Sequence, residues 1–85
     1  MALEYGKIYY KDGNVENIVW YYQHDSNSIM FCNHYRRQYT FKNGAFYERV
    51  SVRDHFGMDQ SDIFRADIID HIVLDGETYR REECI

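Results

Sequence analysis

Three dipeptides that end in glycine constrain the fold of this chain more than any other feature. They are Asp12-Gly13, Asn43-Gly44 and Asp75-Gly76, and each stands between runs rich in aromatic and β-branched residues. Glycine adopts the positive φ angles of a tight hairpin turn without strain, and Asp and Asn tolerate these angles better than most residues. The sequence therefore predicts three β-hairpins.

The runs that flank these turns alternate in the manner of half-buried strands. In the second of them, strict alternation places Ile18, Trp20 and Tyr22 on one face of a strand, and Val19 and Tyr21 on the other. The chain has no proline and no linker-like stretch. We therefore predict a single compact domain over residues 1–85, mainly β, in which about five to seven antiparallel strands form a curved sheet or half-open barrel.

The alternation fails between Ser51 and Ile69. Ser51 is followed three residues later by Asp54, as at the start of a helix, and Gly57 is placed to end it. We expect one short helical or irregular insert near residues 51–69. A helix there would make the fold α+β, which is the alternative to the all-strand arrangement.

Aromatic residues make up 18% of the chain, nine of them tyrosines. Five tyrosines cluster in the first hairpin, which is more aromatic surface than one face of a small sheet can bury. We expect some of them to be exposed, either on a recognition surface or in the interface of a homodimer. The five are Tyr5, Tyr9, Tyr10, Tyr21 and Tyr22.

The formal net charge of −4 is distributed unevenly along the chain. Residues 1–53 carry seven Lys and Arg against five Asp and Glu, whereas residues 54–85 carry three against nine, so the two parts have net charges of +2 and −6. General DNA or RNA binding favours a net positive domain, so direct nucleic-acid binding is disfavoured. The acidic part instead predicts contact with a basic partner, through Asp59, Asp62, Asp67, Asp70, Asp75 and Glu77.

The two cysteines, Cys32 and Cys84, do not form a recognisable disulfide or metal-binding pattern. We expect reduced thiols. No apolar run approaches the ~20 residues of a membrane span, and no signal peptide is evident. The expected location is the cytoplasm, with no membrane contact.

Residues that carry chemistry are scattered. The four histidines lack the paired spacing of a zinc site, no glycine-flanked serine nucleophile is present, and the glycines are isolated rather than grouped in a phosphate loop. Asp54-His55 and Asp70-His71 each place a carboxylate next to an imidazole in sequence. Neighbouring residues on a strand point to opposite faces, so we do not expect Asp70 and His71 to form a catalytic pair if that segment is extended. We interpret both as surface histidines with solvated acidic neighbours. We predict no metal, no cofactor and no catalytic residue, and hence a protein that is not an enzyme.

The segment from His34 to Tyr39 is the sharpest local feature, because it places two arginines between tyrosines. Arginine makes bidentate contacts with phosphate and carboxylate, and tyrosine stacks on bases and anchors protein interfaces. A solvated polar turn is the alternative interpretation. The aromatic and Arg residues predicted to bind a partner or ligand are Tyr21, Tyr22, Tyr35, Arg36, Arg37 and Tyr39.

These observations lead to two functional hypotheses. The first is a small non-enzymatic protein that acts by protein–protein contact, as an accessory or inhibitory protein of a phage or mobile element, of the anti-CRISPR or anti-restriction type. Its acidic C-terminal half would engage a basic nucleic-acid-binding surface of a host enzyme. The alternative is a small β module that binds a nucleotide or single-stranded nucleic acid through the Tyr and Arg residues.

Overall fold

The computed structural model describes residues 5–53 and 59–82, which form one antiparallel sheet. Its spatial order is β6-β5-β4-β3-β2-β1-β7-β8, so β6 and β8 are the edge strands. The mainly β prediction is confirmed, with eight strands rather than five to seven. The strands are β1 (Gly6–Tyr10), β2 (Val15–Asp25), β3 (Ser28–Asn33), β4 (Gln38–Lys42), β5 (Ala45–Arg53), β6 (Asp59–Arg65), β7 (Ile69–Leu74) and β8 (Glu77–Arg80).

The three predicted hairpin turns join β1 to β2, β4 to β5 and β7 to β8. Asn43-Gly44 has φ angles of 51° and 79°, and Asp75-Gly76 has 50° and 82°. Both pairs therefore fit the turn that needs two positive φ angles. In the first turn only Gly13 has positive φ (93°), and the Asp12 carboxylate instead accepts a hydrogen bond from the Asn14 N–H at 2.9 Å.

The prediction of a helical or irregular insert near residues 51–69 is wrong for the part of this range that the structure describes as strand. Strand β5 continues to Arg53, and β6 pairs with it as an antiparallel neighbour from Asp59 onward. A single capping signal at Ser51 contributes little beside a continuous ladder of hydrogen bonds to a neighbouring strand. Residues 54–58, which include Asp54 and Gly57, lie outside the described residues. In the part of the chain that is described, no helix could cross a membrane.

The buried core lies on one face of the sheet, which we call the inner face. Aromatic rings occupy its centre, where Phe31 lies 6.3 Å from Phe46 in an edge-to-face arrangement and Phe41 lies 4.9 Å from Phe46. The core residues are Ile8, Ile18, Ile29, Phe31, Tyr39, Phe41, Phe46, Ala66, Ile69, Ile72 and Leu74.

The connection from β6 to β7 requires the sheet to curl. Only residues 66–68 separate the two strands, so their ends lie within about 14 Å of each other at about 3.5 Å per residue. In a flat sheet six interstrand spacings of about 4.8 Å would place them about 29 Å apart. Backbone bonds from Ala66 N–H to the Phe46 carbonyl at 2.8 Å and from Lys11 N–H to the Ile68 carbonyl at 2.9 Å fix this connection.

Arg81, which follows β8, fastens the end of the chain to the same connection. Its guanidinium donates to the Asp67 carboxylate at 2.8 Å and to the Ile69 carbonyl at 2.7 Å. The adjacent Glu82 N–H donates to the Gly44 carbonyl at 2.8 Å. The segment after β8 therefore joins the β4–β5 turn to the β6–β7 connection and holds the curl.

Replacing Phe31 by alanine tests the inner-face core. The substitution leaves a cavity between Tyr39 and Phe46 and is expected to lower the free energy of unfolding by about 3–5 kcal/mol, measured by urea denaturation. Phe64→Ala is the matched control, because Phe64 is 54% exposed, and its effect should stay within about 0.5 kcal/mol. Equal losses in both variants would contradict this core.

The ion pair of Asp67 predicts a pH dependence. The hydrogen bond from Arg81, together with the charge of Arg65, holds the Asp67 pKa below its ordinary value of 3.8. A carboxylate whose pKa is lowered by folding stabilises the fold fully above its unfolded-state pKa, and this stabilisation is lost as the pH falls through the folded-state pKa. The urea concentration at the midpoint of unfolding should therefore decrease when the pH is lowered below about 4. The decrease should be smaller in Asp67→Asn. An identical acid profile in the variant would contradict this assignment.

Candidate functional site

Most charged side chains of the strands are separated between the two faces of the sheet. The acidic exceptions are Asp25, in the row of Ser28 and Lys42, and Asp70, which contacts Arg80. Residues opposite one another in neighbouring strands share a face, so the registers assign each side chain. Glu16, Glu48 and Glu77 lie opposite Ile8, Tyr39 and Leu74 and therefore belong to the inner face. Every Lys and Arg among the described strand side chains lies on the opposite side. These are Lys7, Lys42, Arg49, Arg65 and Arg80.

The opposite side of β2 to β5 presents a patch of aromatic and apolar side chains, which we call the outer face. Tyr22 pairs with Met30, Met30 with Thr40 and Thr40 with Tyr47, so one row crosses four strands. Trp20 pairs with Cys32 in the adjacent row. Trp20 is 46% exposed and Tyr22 56% exposed, and none of the six belongs to the core or packs against it as a partly buried residue. The outer face comprises Trp20, Tyr22, Met30, Cys32, Thr40 and Tyr47.

Strand β2 departs from regular pairing with β3 at two points, and the first of them changes the predicted alternation. Its pairing with β3 shifts between Ile18 and Trp20, so Val19 is an extra residue in that strand. Such a bulge reverses the facing of the residues that follow it. Ile18 is consequently buried in the core, whereas Trp20 and Tyr22 lie on the outer face and Tyr21 turns inward.

The structure distributes the six predicted aromatic and Arg residues over three environments. Tyr22 lies on the outer face, and Tyr21 is half-buried with its hydroxyl donating to Asp75 at 2.8 Å. Tyr39 is buried, with its ring stacked on Phe31. Tyr35, Arg36 and Arg37 are exposed in the turn between β3 and β4.

Asn33, which is buried, organises the turn between β3 and β4. Its side-chain oxygen accepts from the Tyr35 N–H at 3.0 Å and from the Arg37 N–H at 2.9 Å. Arg36 adopts a φ of 66°, a left-handed conformation that side-chain-bearing residues rarely adopt. The hydrogen bonds of Asn33 therefore hold Arg36 and Arg37 in a defined turn.

The other end of the Asn33 side chain joins a polar network on the inner face. Its amide nitrogen donates to Glu16 Oε1 at 3.0 Å, and the Tyr10 hydroxyl donates to the same oxygen. The Tyr39 hydroxyl lies 3.5 Å from that of Tyr10. Burial and the bond to Glu16 raise the pKa of Tyr10 far above its ordinary value, so Tyr10 stays a protonated donor. This network lines a cleft of about 840 Å³.

Four of the six predicted acidic residues have partners within the chain. Asp67 binds Arg81 and lies 3.1 Å from Arg65. Asp75 accepts from Tyr21 at 2.8 Å, and Glu77 from Tyr79 at 3.2 Å. Asp70 forms a hydrogen bond with His71. The remaining two, Asp59 and Asp62, lie on β6, and their side chains are outside the described part of the structure.

Asp70 and His71 form a close pair, contrary to the expectation from strand alternation. Asp70 Oδ2 lies 2.6 Å from His71 Nδ1, and this hydrogen bond holds the Asp70 pKa below its usual range. The reason is a bulge in β7. Tyr9 pairs with His71 and Tyr10 with Ile69, so Asp70 has no partner position in the ladder between β1 and β7. The imidazole also stacks on Tyr9 at 4.5 Å.

The described residues contain no group of three or more His, Cys, Asp and Glu side chains placed to hold a metal ion. The Cys32 thiol is half-buried on the outer face, and burial raises its pKa. It therefore belongs to the apolar surface of that face. Cys84 lies outside the described residues.

The chain matched no protein-family model, no curated protein and no solved structure. The candidate sites therefore rest on the geometry of this chain.

Sequence reasoning missed several residues of both candidate sites. Met30 and Tyr47 were not singled out, because their grouping with Tyr22 depends on the pairing of four strands. Glu16 and Asn33 were not singled out either, although a Glu inside an alternating apolar strand was a usable signal.

Asn33→Ala tests the organisation of the turn. The change removes the acceptor for two backbone N–H groups and the donor to Glu16, and should lower the free energy of unfolding by about 1–3 kcal/mol. Urea denaturation measures the loss, and amide hydrogen exchange at Tyr35 and Arg37 should accelerate. Asn27→Ala, in the exposed β2–β3 turn, is the control. Unchanged exchange at Tyr35 would contradict the role given to Asn33.

Proposed function

We propose that this protein is a non-enzymatic binding protein that acts by protein–protein contact through the outer face. The observation that carries the proposal is the exposure of Tyr22, in a row of side chains that crosses four strands, and of Trp20 in the adjacent row. An antiparallel sheet normally exposes polar side chains on its solvent face. Grouped aromatic side chains at that position favour a partner that covers them.

The composition of the outer face supports a protein partner. Trp, Tyr, Met and Arg are the residue types enriched in the centres of protein interfaces, and all four occur on this side of the sheet. The aromatic rings supply large contact areas with few rotatable bonds, which limits the entropy lost on binding.

The charge at the border of the outer face favours an acidic partner surface. Lys42 and Arg49 lie on the same side of the sheet. Arg49 is in the row of Trp20 and Cys32, and Lys42 is in the row beside that of Met30. Arg65 continues the row of Tyr47, although its guanidinium also pairs with Asp67. A partner with an apolar centre and carboxylates around it would complement this arrangement.

The hypothesis from sequence places the contact instead on the acidic residues of the C-terminal half. It describes a phage or mobile-element inhibitor that occupies the nucleic-acid surface of a restriction or CRISPR enzyme in the host cytoplasm. The hydrogen bonds and ion pairs of Asp67, Asp70 and Asp75 within the chain reduce the carboxylate surface available for that role. The outer face is therefore the surface we propose first.

A second candidate function is binding of single-stranded nucleic acid on the same outer face. The separation of charge is the specific observation that favours it, because the basic strand side chains lie on the side that also exposes Trp20 and Tyr22. Aromatic rings on which bases stack, flanked by basic groups that contact phosphate, are typical of such sites. The net charge of −4 does not describe this local surface.

The double variant Trp20→Ser/Tyr22→Ser tests the outer face. We expect pull-down from bacterial lysate to recover a stoichiometric partner with the wild type and with the control Tyr35→Ser, whose ring is exposed in the β3–β4 turn. The double variant should bind that partner at least about 100-fold more weakly, since two aromatic contacts at an interface centre are lost. Purified partner and calorimetry give the affinity.

Three outcomes distinguish the candidates. Partner binding that survives in the double variant but fails in Asp75→Asn/Glu77→Gln would contradict the outer face and support the acidic surface. A dimer by light scattering that the double variant converts to a monomer would assign the face to a second copy of the chain. Salt-sensitive binding of a thymidine oligonucleotide that Lys42→Ala/Arg49→Ala abolishes would support the second candidate.

A further inference from the structure

The cleft beside Asn33 is a second, separate site. It lies between the β1–β2 turn, the β3–β4 turn and the β6–β7 connection, and its volume of about 840 Å³ falls within the range of pockets that hold small organic ligands. Its lining comes from the inner face and the turns, so it shares no residue with the outer face. The cleft therefore needs its own explanation.

Glu16 is the unusual residue of this cleft. It lies on the inner face opposite the buried Ile8. Oxygen Oε1 accepts two hydrogen bonds, from Tyr10 and from Asn33, whereas Oε2 accepts none from the described residues. An ionised carboxylate can accept about four hydrogen bonds, so Glu16 retains acceptor capacity on the cleft side. A donor brought by a ligand would use it.

The charges around the cleft favour a positive ligand. The lining includes two carboxylates, Asp12 and Glu16, and one guanidinium, Arg37. Arg37 hydrogen-bonds to Tyr39 within the lining of the cleft. Two carboxylates against one guanidinium leave these side chains with a net charge of −1.

The uncharged lining favours an organic cation over a metal ion. Tyr35, which is 68% exposed, contributes an aromatic ring whose faces attract cations. Ile68 lines the same cleft and is 52% exposed. Its apolar side chain can pack against the aliphatic stem of a cationic group.

We propose that the cleft beside Asn33 binds an organic cation, and that the guanidinium group of an arginine side chain is the ligand chemistry it fits best. The guanidinium donates to the open oxygen of Glu16 and its plane stacks on Tyr35, as guanidinium groups do on aromatic rings. The methylene stem lies along Ile68. The Tyr10 and Asn33 hydrogen bonds hold the Glu16 carboxylate in place for this contact.

The experiment is a titration of the ¹⁵N-labelled protein, followed by NMR, with probes up to about 10 mM, the range expected for contact with a single group. The probes are the tripeptide Gly-Arg-Gly, its neutral isostere with citrulline, the free guanidinium compound agmatine, and adenosine monophosphate. We expect saturable shifts of the Asn33 side-chain amide and of the Glu16 and Tyr35 backbone amides with the two guanidinium probes. Tighter binding of the tripeptide would indicate an arginine of a protein, and equal or tighter binding of agmatine a free cation.

Variants identify the contacts. Glu16→Gln keeps the shape of the side chain and removes its charge, and should weaken binding of Gly-Arg-Gly by about tenfold. Tyr35→Ala, at an exposed ring, should weaken it by about threefold and tests the site even where Glu16→Gln alters the fold. Tyr22→Ala, on the outer face, should leave it unchanged.

Three results would overturn the proposal. They are equal binding of the citrulline and arginine tripeptides, shifts at these amides with adenosine monophosphate in place of the guanidinium probes, and no saturable shift with either guanidinium probe. None of them bears on the outer face. Failure of the cleft and failure of the proposed function are therefore distinguishable.

Discussion

The three residues between β6 and β7 impose the constraint on which the rest of the structure depends. Six strand positions separate these neighbours in sequence, and three residues span that distance only because the sheet curls onto itself. The curl lets one sheet bury its own inner face, so the described residues form a core of isoleucine and aromatic side chains within that single sheet. Arg81 holds the β6–β7 connection by donating to the Ala66 and Ile69 carbonyls, and the Ala66 N–H donates to the Phe46 carbonyl of β5.

The same constraint determines where function can lie. Once the inner face is filled, the outer face of β2 to β5 is the broad surface left for contact, and it carries Trp20, Tyr22 and Tyr47 with basic side chains nearby. The turns gathered around the β6–β7 connection form the cleft beside Asn33. One folded shape thus yields an exposed aromatic surface and a polar cleft with opposite charge preferences.

Local signals predicted the hairpins well, because the positive φ angles at Asn43-Gly44 and Asp75-Gly76 are properties of the turn residues themselves. Signals that depend on distant pairing failed. The capping pattern at Ser51 was overridden by the ladder between β5 and β6, and the bulge at Val19 reversed the facing of Trp20. Charge was likewise assigned by segment in the sequence, whereas the folded chain gathers the basic side chains of its described strands on one face. Only the registers reveal that arrangement.

The fluorescence of Trp20, the single tryptophan, tests the exposed basic outer face most directly. Quenching by iodide and by caesium ions is compared at about 0.1 M ionic strength, where screening limits electrostatic effects to about 10 Å, with free N-acetyltryptophanamide as the reference. A basic surface predicts that iodide quenches more efficiently than caesium relative to that reference, despite the net charge of −4. Stronger relative quenching by caesium, or protection from both ions, would contradict the account.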